Sequence, residues 1–523
     1  MLLGKVFKNI DKKYKTVHFK GIKFNSKDCK PNDIFFAIKG NNSDGNKYIH
    51  EAINNGAKII VSSLKLKRFN IKKVLFIKSK NPRKMLSDIS SQFYKLKPKN
   101  IIAVTGTNGK TSIANFYQQI LSLNNKKAAS IGTLGVLSKK FNLKTNNTTI
   151  DSVSIHKILQ KLKRLDIDNV IIEASSHGLK QHRLNNIKFK TALFTNLSRD
   201  HLDYHKTMKD YLNSKLILFN KLVNIKGNII FDEKLKETKQ LNIISKQRKL
   251  KKYTFGSNKS FIKITNIEKF RDQNKIYCII NGKKYSFKTS LIGKIQIKNL
   301  MFAMLAAYLS KLKIDKILKS IHKIKPIKGR FEKIGNLKNN SNVILDYAHT
   351  PNALKTAILN IKDEFPLSKI SLVFGCGGNR DKDKRSIMGS IAKKYCDTIY
   401  LTDDNPRTEN PKLIRDQIKK GLKNKKFFEI SSRSKAINLA IKNLGSGDVL
   451  IVAGKGHENY QEYKKTEPFS DKLEILRSIF TKNKNLSKSI KTNIVNETLK
   501  SNILSFKKKI NLASINSKKI KEK

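Results

Sequence analysis

The feature that most constrains this chain is Ile101-Ile102-Ala103-Val104-Thr105 running into Gly106-Thr107-Asn108-Gly109-Lys110-Thr111 and then Ser112-Ile113-Ala114-Asn115-Phe116. A short apolar run, a glycine-bearing turn and apolar residues at helical spacing read as strand, loop and helix. Glycines let backbone N–H groups approach an anion, and the helix N-terminus adds positive potential. Lys110 is placed to reach the outer phosphates of a nucleotide, and the Thr111 hydroxyl to ligate Mg²⁺. The loop departs from G-x-x-x-x-G-K-[ST], because Val104 stands where the first glycine would fall.

The same alternation continues. VIIEASS (170–176) and TALFTNLS (191–198) are further strands separated by helical patterns. A second series starts near Lys328, with NVILDYA (342–348), KISLVFG (369–375), DTIYLTD (397–403) and DVLIVAG (448–454). Strands alternating with helices predict an α/β fold with a mostly parallel sheet. Ligands then bind at the carboxyl ends of the strands, where the unusual residues cluster. Upstream, DIFFAIKG (33–40) and AKIIVSS (57–63) are buried strands, and KLKPKN (95–100) reads as a linker. At roughly 100–200 residues per domain, 523 residues predict about three. The boundaries read as 1–97, 98–325 and 326–482, followed by a Lys-rich tail, 483–523. Glu173 ends one buried strand and His201 follows another, so both are candidate metal ligands beside the loop; a buried carboxylate is costly unless paired or metal-bound. His201-x-x-x-His205 lacks the glutamate of H-E-x-x-H, which disfavours zinc, and oxygen ligands with ATP phosphates suit Mg²⁺.

The formal net charge of +70 invites a nucleic-acid or membrane reading. The basic residues are mostly Lys and are spread along the chain, while Arg, the better bidentate recogniser, is scarce, with several inside the motifs below. A solvated lysine surface is therefore expected, with weak polyanion binding at low salt and no specific nucleic-acid partner. Cys29, Cys278, Cys376 and Cys396 form no C-x-x-C pair, which argues against a disulfide framework. No signal peptide and no run of ~18 apolar residues is visible, so a cytoplasmic protein with no membrane association is expected.

The ordered set GTNGKT (106–111), NTT (147–149), EASSHGLKQHR (173–183), FTNLSRDHLDYH (194–205), YLNSKLILF (211–219), KGRFEK (328–333), DYAHTPNAL (346–354), GCGGNRDKDKR (375–385), DNPRTENP (404–411) and AGKGHE (453–458) resembles the Mur ligases, which add amino acids to UDP-N-acetylmuramic acid. The resemblance covers roughly residues 20 to 480 and is strongest to the branch that adds meso-2,6-diaminopimelate to UDP-N-acetylmuramoyl-L-alanyl-D-glutamate (UDP-MurNAc-L-Ala-D-Glu). It implies a three-domain α/β architecture: an N-terminal UDP-binding domain, a central P-loop ATPase domain and a C-terminal Rossmann-like domain for the incoming amino acid. It also implies ATP as co-substrate, Mg²⁺, an acyl-phosphate intermediate, and a monomer.

Carried over residue by residue, the resemblance implies catalytic roles for Lys110, His201 and Lys215. Metal ligation would fall to Thr111, Glu173, His201 and a carbamylated Lys215. ATP would be held by residues 106–111, Ser112, Asn299, Arg330 and Asp346. The UDP-muramoyl dipeptide would meet Phe24, Ser26, Asn41, Asn42, Ser43, Asn147, Thr148, Thr149, Ser175, Gln181 and Arg183. Diaminopimelate would meet Arg380, Asp404, Asn405, Pro406, Arg407, Gly454 and Glu458. Ile150 replaces the proline the family often has after NTT, and Asn46 replaces a common histidine.

Diaminopimelate differs from lysine by a distal carboxylate. Arg407 and Arg380 offer the cation for it, and Glu458 an anion for the neighbouring ammonium. Two rival readings are a related Mur or folate-polyglutamate ligase, against which DNPR and AGKGHE argue, and a nucleic-acid-binding NTPase. In the tail, Ile515–Lys521 echoes Phe24–Lys30: both read apolar-Asn-Ser-Lys-x-x-Lys. Either the tail begins a second Mur-ligase N-terminal domain, or it is a Lys/Asn-rich disordered segment.

Among so many lysines, only its motif distinguishes Lys215. Lys215→Ala is expected to lose most activity, with partial rescue by an added short carboxylic acid; full activity without rescue would refute the role.

Overall fold

Isoleucine- and valine-rich segments with no room for polar alternation become strands covered on both faces, as parallel sheets require. The structure, a computed structural model, describes residues 1–7, 10–40, 43–64, 74–270 and 273–483. Asn41, Asn42 and the tail beyond residue 483 lie outside the described residues.

The chain divides into two compact units. The first comprises Met1–Ser198, His205–Ser290 and Lys298–Ile324. It holds a four-stranded parallel sheet in the order Ile22–Lys23, Asp33–Phe36, Ala57–Ser62 and Leu75–Lys78. It also holds a ten-stranded sheet whose centre is Asn100–Thr105, flanked by Asn169–Glu173 on one side and Phe189–Phe194 on the other. Successive strands are laid down in opposite directions from that central strand, which makes its carboxyl end a topological switch point.

The N-terminal sheet and the ten-stranded sheet share this unit. The helix Pro82–Phe93 packs on the helix Ser152–Arg164, and Val153 packs against the N-terminal apolar cluster. Ser87 Oγ donates to Asn185 O at 3.2 Å.

The large sheet is less purely parallel than expected. Gly135–Ser138 pairs antiparallel at one edge, and Ile262–Lys269, Asn274–Ile280 and Lys283–Thr289 form an antiparallel meander at the other. The hairpin turn is Asn281-Gly282, both at positive φ (47° and 80°), the backbone a tight two-residue hairpin demands.

The second unit comprises Arg199–Tyr204, Leu291–Ile297 and, among the described residues, 325–483. Its six-stranded sheet runs Glu332–Asn336, Asn342–Asp346, Val449–Ala453, Ile370–Phe374, Thr398–Leu401 and Phe428–Glu429, parallel apart from the first pair. The helices on it start with designed-in stops. Thr350 and Asn410 cap Pro351–Glu364 and Pro411–Lys419, each with proline in its first turn, where the missing N–H costs nothing. Among the described residues no helix is long and apolar enough to cross a membrane.

His156, wholly buried on the helix Ser152–Arg164, has its pKa lowered to about 3 by burial and by the nearby Lys97 cation. Its ordinary value is about 6.5. Between these values the unfolded chain binds a proton the folded chain refuses, so stability is full above pH ~6.5 and falls as pH drops. His156→Leu is expected to flatten the loss of Tm between pH 6.5 and 4; an unchanged slope in thermal melts would count against this.

Candidate active site

The nucleotide loop leaves the central strand at the switch point and enters the helix Lys110–Leu123. Gly106 (φ 143°) and Gly109 (φ 88°) take conformations that L side chains rarely adopt. A Cβ on Gly106 would stand 1.8 Å from Thr195 Oγ1, and one on Gly109 would stand 2.7 Å from Asn299 Oδ1. The loop is thus drawn against the end of the neighbouring strand, with Asn299 beside it. Thr107 N donates to Asn196 O at 2.9 Å and Asn108 N to Asn196 Oδ1 at 3.0 Å. Lys110 Nζ donates to Gly106 O and Thr107 O, both at 2.8 Å. Lys215 Nζ also donates to Gly106 O at 2.8 Å and lies 4.3 Å from the Tyr211 ring centroid. At 1% exposure Lys215 is no surface lysine. Thr111 and Ser112 are buried on the first helical turn.

Glu173 is the hub beside the loop. Thr111 Oγ1 donates to Glu173 Oε2 at 2.9 Å. Thr133 donates its backbone N–H to Oε1 at 2.9 Å and its hydroxyl to Oε2 at 3.1 Å. Thr133 was not singled out from the sequence; a threonine just past a strand carries no signal of its own. Its hydroxyl is also 3.0 Å from Thr148 Oγ1, which links Glu173 to the NTT segment. Thr149 Oγ1 donates to Glu173 O at 2.7 Å and accepts from Ser175 N at 2.9 Å. Arg183 Nη1 donates to Thr149 O at 2.5 Å, and its Nε and Nη2 hold Gln181 Oε1 at 3.1 and 2.8 Å. Asn147 is exposed, while Ile150 is buried and anchors the segment in the core.

The groups converging here are a carboxylate and hydroxyls. Hard oxygen donors fit Mg²⁺ and not a soft metal. Among the described residues no cluster of three His, Cys, Asp or Glu side chains is arranged to hold a metal by itself, so the remaining ligands would come from phosphate, water or a modified side chain.

His201 falls in the second unit and His205 in the first. The His201 backbone N–H donates to Asp200 Oδ1 at 2.9 Å, and its Nε2 lies 3.3 Å from Asp200 Oδ2. Desolvation works to raise the Asp200 carboxyl, but His201, His349 and Lys384 together hold it low. His205 is buried against Ser176 Oγ at 2.9 Å, and burial holds its pKa down. Asp346 accepts from Phe331 N at 3.1 Å and Tyr347 N at 2.8 Å. Desolvation pushes Asp346 up to about 6 against the pull of Arg330, whose guanidinium stacks 4.1 Å from the Tyr347 ring centroid. In the N-terminal sheet, Phe24 is exposed and Ser26 buried, with Ser26 Oγ donating to Glu51 Oε2 at 2.7 Å. Ser43 is exposed, its carbonyl accepting from Gly40 N at 2.7 Å.

In the second unit the structure brings together most of the residues assigned to the amino acid. Asn405 Nδ2 donates to Glu458 Oε2 at 2.9 Å. Lys455, fully buried, donates to that same oxygen at 3.0 Å and to Asn405 Oδ1 at 2.8 Å. Glu458 is thus charge-paired, and burial still raises its carboxyl. Gly454 (φ 115°) leaves no room for a Cβ, which would meet Asp404 Oδ2 at 2.5 Å. Arg407 takes a left-handed backbone (φ 56°). Its Nη1 donates to Gly378 O at 2.8 Å and its Nε pairs with Glu462 Oε2 at 3.0 Å. Pro406 O packs so close to Gly378 that a Cβ there would stand 1.9 Å away. Arg380, two residues on, is exposed. Lys455 and Glu462 were not read from the sequence, because a lysine or glutamate in so charged a chain has no distinguishing mark.

Three family signatures cover most of the chain: "Mur ligase family, catalytic domain" at residues 18–94, "Mur ligase middle domain" at 104–307, and "Mur ligase, glutamate ligase domain" at 329–456. A UDP-N-acetylmuramoyl-L-alanyl-D-glutamate–2,6-diaminopimelate ligase of Rickettsia montanensis is 42% identical over 475 residues, 90% of this chain and 97% of that protein. The chain belongs to the Mur ligase family. The same-named protein of Rhizobium meliloti is 37% identical over 469 residues, 89% of this Mur ligase and 95% of the relative. A solved structure of a protein with that name aligns at TM-score 0.66 and 27% identity, covering 93% of this chain and all (100%) of the other. The MurF ligase of Thermotoga maritima in complex with ADP shares the fold, at TM-score 0.63 and 16% identity over 89% and 98% of the two chains. The Mur ligase fold expected from the motifs is thus the fold observed, and ATP is the family's co-substrate.

In this Mur ligase, Gly106→Ala would drive a Cβ into Thr195 and force the loop off its path. The variant is expected to lose ATP-dependent turnover by at least about 100-fold while remaining folded by circular dichroism; near-normal kcat/KM for ATP would contradict the geometry.

Proposed function

We propose that this chain is the ATP-dependent ligase that joins 2,6-diaminopimelate to UDP-N-acetylmuramoyl-L-alanyl-D-glutamate in peptidoglycan precursor synthesis, working in the cytoplasm. The single observation that carries the choice of acceptor is the Asn405–Arg407 turn, locked by backbone contacts onto Gly377–Gly378 with its guanidinium held in place. The names of the relatives point the same way.

Two anions, the D-Glu carboxylate and the ATP triphosphate, must meet, so their charge has to be neutralised. Lys110 and the backbone amides of residues 106–111 would cradle the phosphates. Mg²⁺, held by Thr111, Glu173, His201 and a carbamylated Lys215, would supply further neutralisation of phosphate oxygens. Asn299, Arg330 and Asp346 would take the nucleoside end, and the Phe24–Ser43 region the uridine end. Asn147, Thr148, Thr149, Ser175, Gln181 and Arg183 would position the muramoyl dipeptide, Arg183 as a bidentate carboxylate partner. The γ-phosphoryl group passes to the D-Glu side-chain carboxylate, giving an acyl phosphate and ADP. The diaminopimelate amine attacks that carbonyl, and the tetrahedral adduct collapses to amide and inorganic phosphate. Arg407, with Asp404, Asn405 and Gly454, would select the acceptor by its distal carboxylate.

A guanidinium built to receive a carboxylate rejects a ligand that lacks one, by as much as ~10⁴ in kcat/KM. Phosphate release with diaminopimelate is therefore expected to exceed that with lysine by a factor of this order, and Arg407→Ala to collapse the ratio; a wild-type preference for lysine would sink the acceptor reading.

A further inference from the structure

Arg385 is among the largest fully buried side chains, yet nothing in the reaction uses it. It lies at the end of GCGGNRDKDKR, on the helix Lys384–Tyr395. Its Nη1 and Nη2 grip the Glu409 carboxylate bidentately, at 2.9 and 3.1 Å. Nη2 also donates to Gly377 O at 3.1 Å, and Nη1 to Gln417 Oε1 at 2.7 Å. Glu409 stands two residues past Arg407 and receives the Asn379 backbone N–H as well. The Arg385 hydrogen bonds are the main reason its carboxyl is held below the usual range.

Around this ion pair the two loops are zipped. Gly378 N donates to Asn405 O at 2.9 Å and Asn379 Nδ2 donates to Thr408 Oγ1 at 2.9 Å, while within its own loop Glu409 N donates to Pro406 O at 3.1 Å. Arg407 sits inside the zipped segment on a left-handed backbone. Such a conformation strains an L residue and persists only where the surroundings over-determine it.

We propose that Arg385 and Glu409 form a clasp that positions Arg407 and Asn405 for the acceptor amino acid, so that Arg385 is a positioning residue for acceptor binding. The inference rests on the acceptor reading above. Lysine cannot replace it, because an ammonium has no planar fork to hold a carboxylate and a carbonyl together. The clasp is separable from stability, because a buried ion pair replaced on both sides by apolar residues is often neutral.

The experiment measures KM for each of the three substrates, kcat and Tm in Arg385→Lys, in the double variant Arg385→Met/Glu409→Leu, and in Glu409→Gln. Displacing a guanidinium by about 1 Å is enough for large losses, so KM for diaminopimelate is expected to rise about tenfold or more. KM for ATP and for the UDP-linked dipeptide should stay within about twofold, since uniform effects would signal a general loss. The proposal is overturned if a folded variant keeps its acceptor KM, or if all three KM values rise together. Should the Arg385 variants not fold, Glu409→Gln, at a partly exposed side chain, gives the same comparison. Failure of the acceptor reading shows up separately, in the wild type: it would use another amino acid, and the KM of that amino acid becomes the quantity compared.

Discussion

The catalytic half of the molecule depends on one close approach of backbone, at Gly106. The turn after the central strand passes so near Thr195 that no side chain fits at Gly106. Two ammonium groups, Lys110 and Lys215, donate to the Gly106 carbonyl at 2.8 Å each. Of the two, Lys110 keeps its charge for phosphate, whereas carbamylation of Lys215, as proposed, would exchange this contact for a metal-binding anion. The sheet topology explains why this occurs here: the chain order changes direction on either side of Asn100–Thr105, and a crevice forms at the carboxyl end of such a strand.

Glu173 plays the complementary part. A carboxylate at the end of a buried strand must be met by donors, and Thr111 and Thr133 supply them from two different loops. Through Thr133 and Thr148 the same carboxylate reaches the NTT segment, and the Glu173 backbone carbonyl, through Thr149, continues to Arg183. The nucleotide loop and the loop assigned to the dipeptide are therefore parts of one hydrogen-bonded assembly rather than neighbours by accident.

Much of this was legible in the sequence, for stated reasons. Continuous apolar runs identified Asn100–Thr105, Asn169–Glu173 and Val449–Ala453 as strands, and glycines marked where phosphate or a second loop comes close. The antiparallel strands between Ile262 and Thr289 were missed because their faces alternate lysine with isoleucine in a lysine-rich chain, although Asn281-Gly282 was a usable hairpin signal. Thr133 was invisible because its partners Thr148 and Glu173 lie on other segments, and Lys455 and Glu462 because a lysine or glutamate in so charged a chain carries no mark of its own. The +70 charge carried less meaning than its exceptions did. Carboxylates are few, and several are committed to buried or half-buried arginines: Asp403 and Glu429 to Arg415, Glu409 to Arg385, Asp471 to Arg433. Lysine covers the surface, while the planar guanidinium is kept for joints.

Arg407 carries a further consequence through its backbone. At φ 56° a glycine or asparagine would sit there with less strain than arginine. Replacing Arg407 by glycine or asparagine would therefore tend to stabilise the protein while removing the group proposed to recognise the acceptor, so stability and acceptor choice pull in opposite directions at this one position.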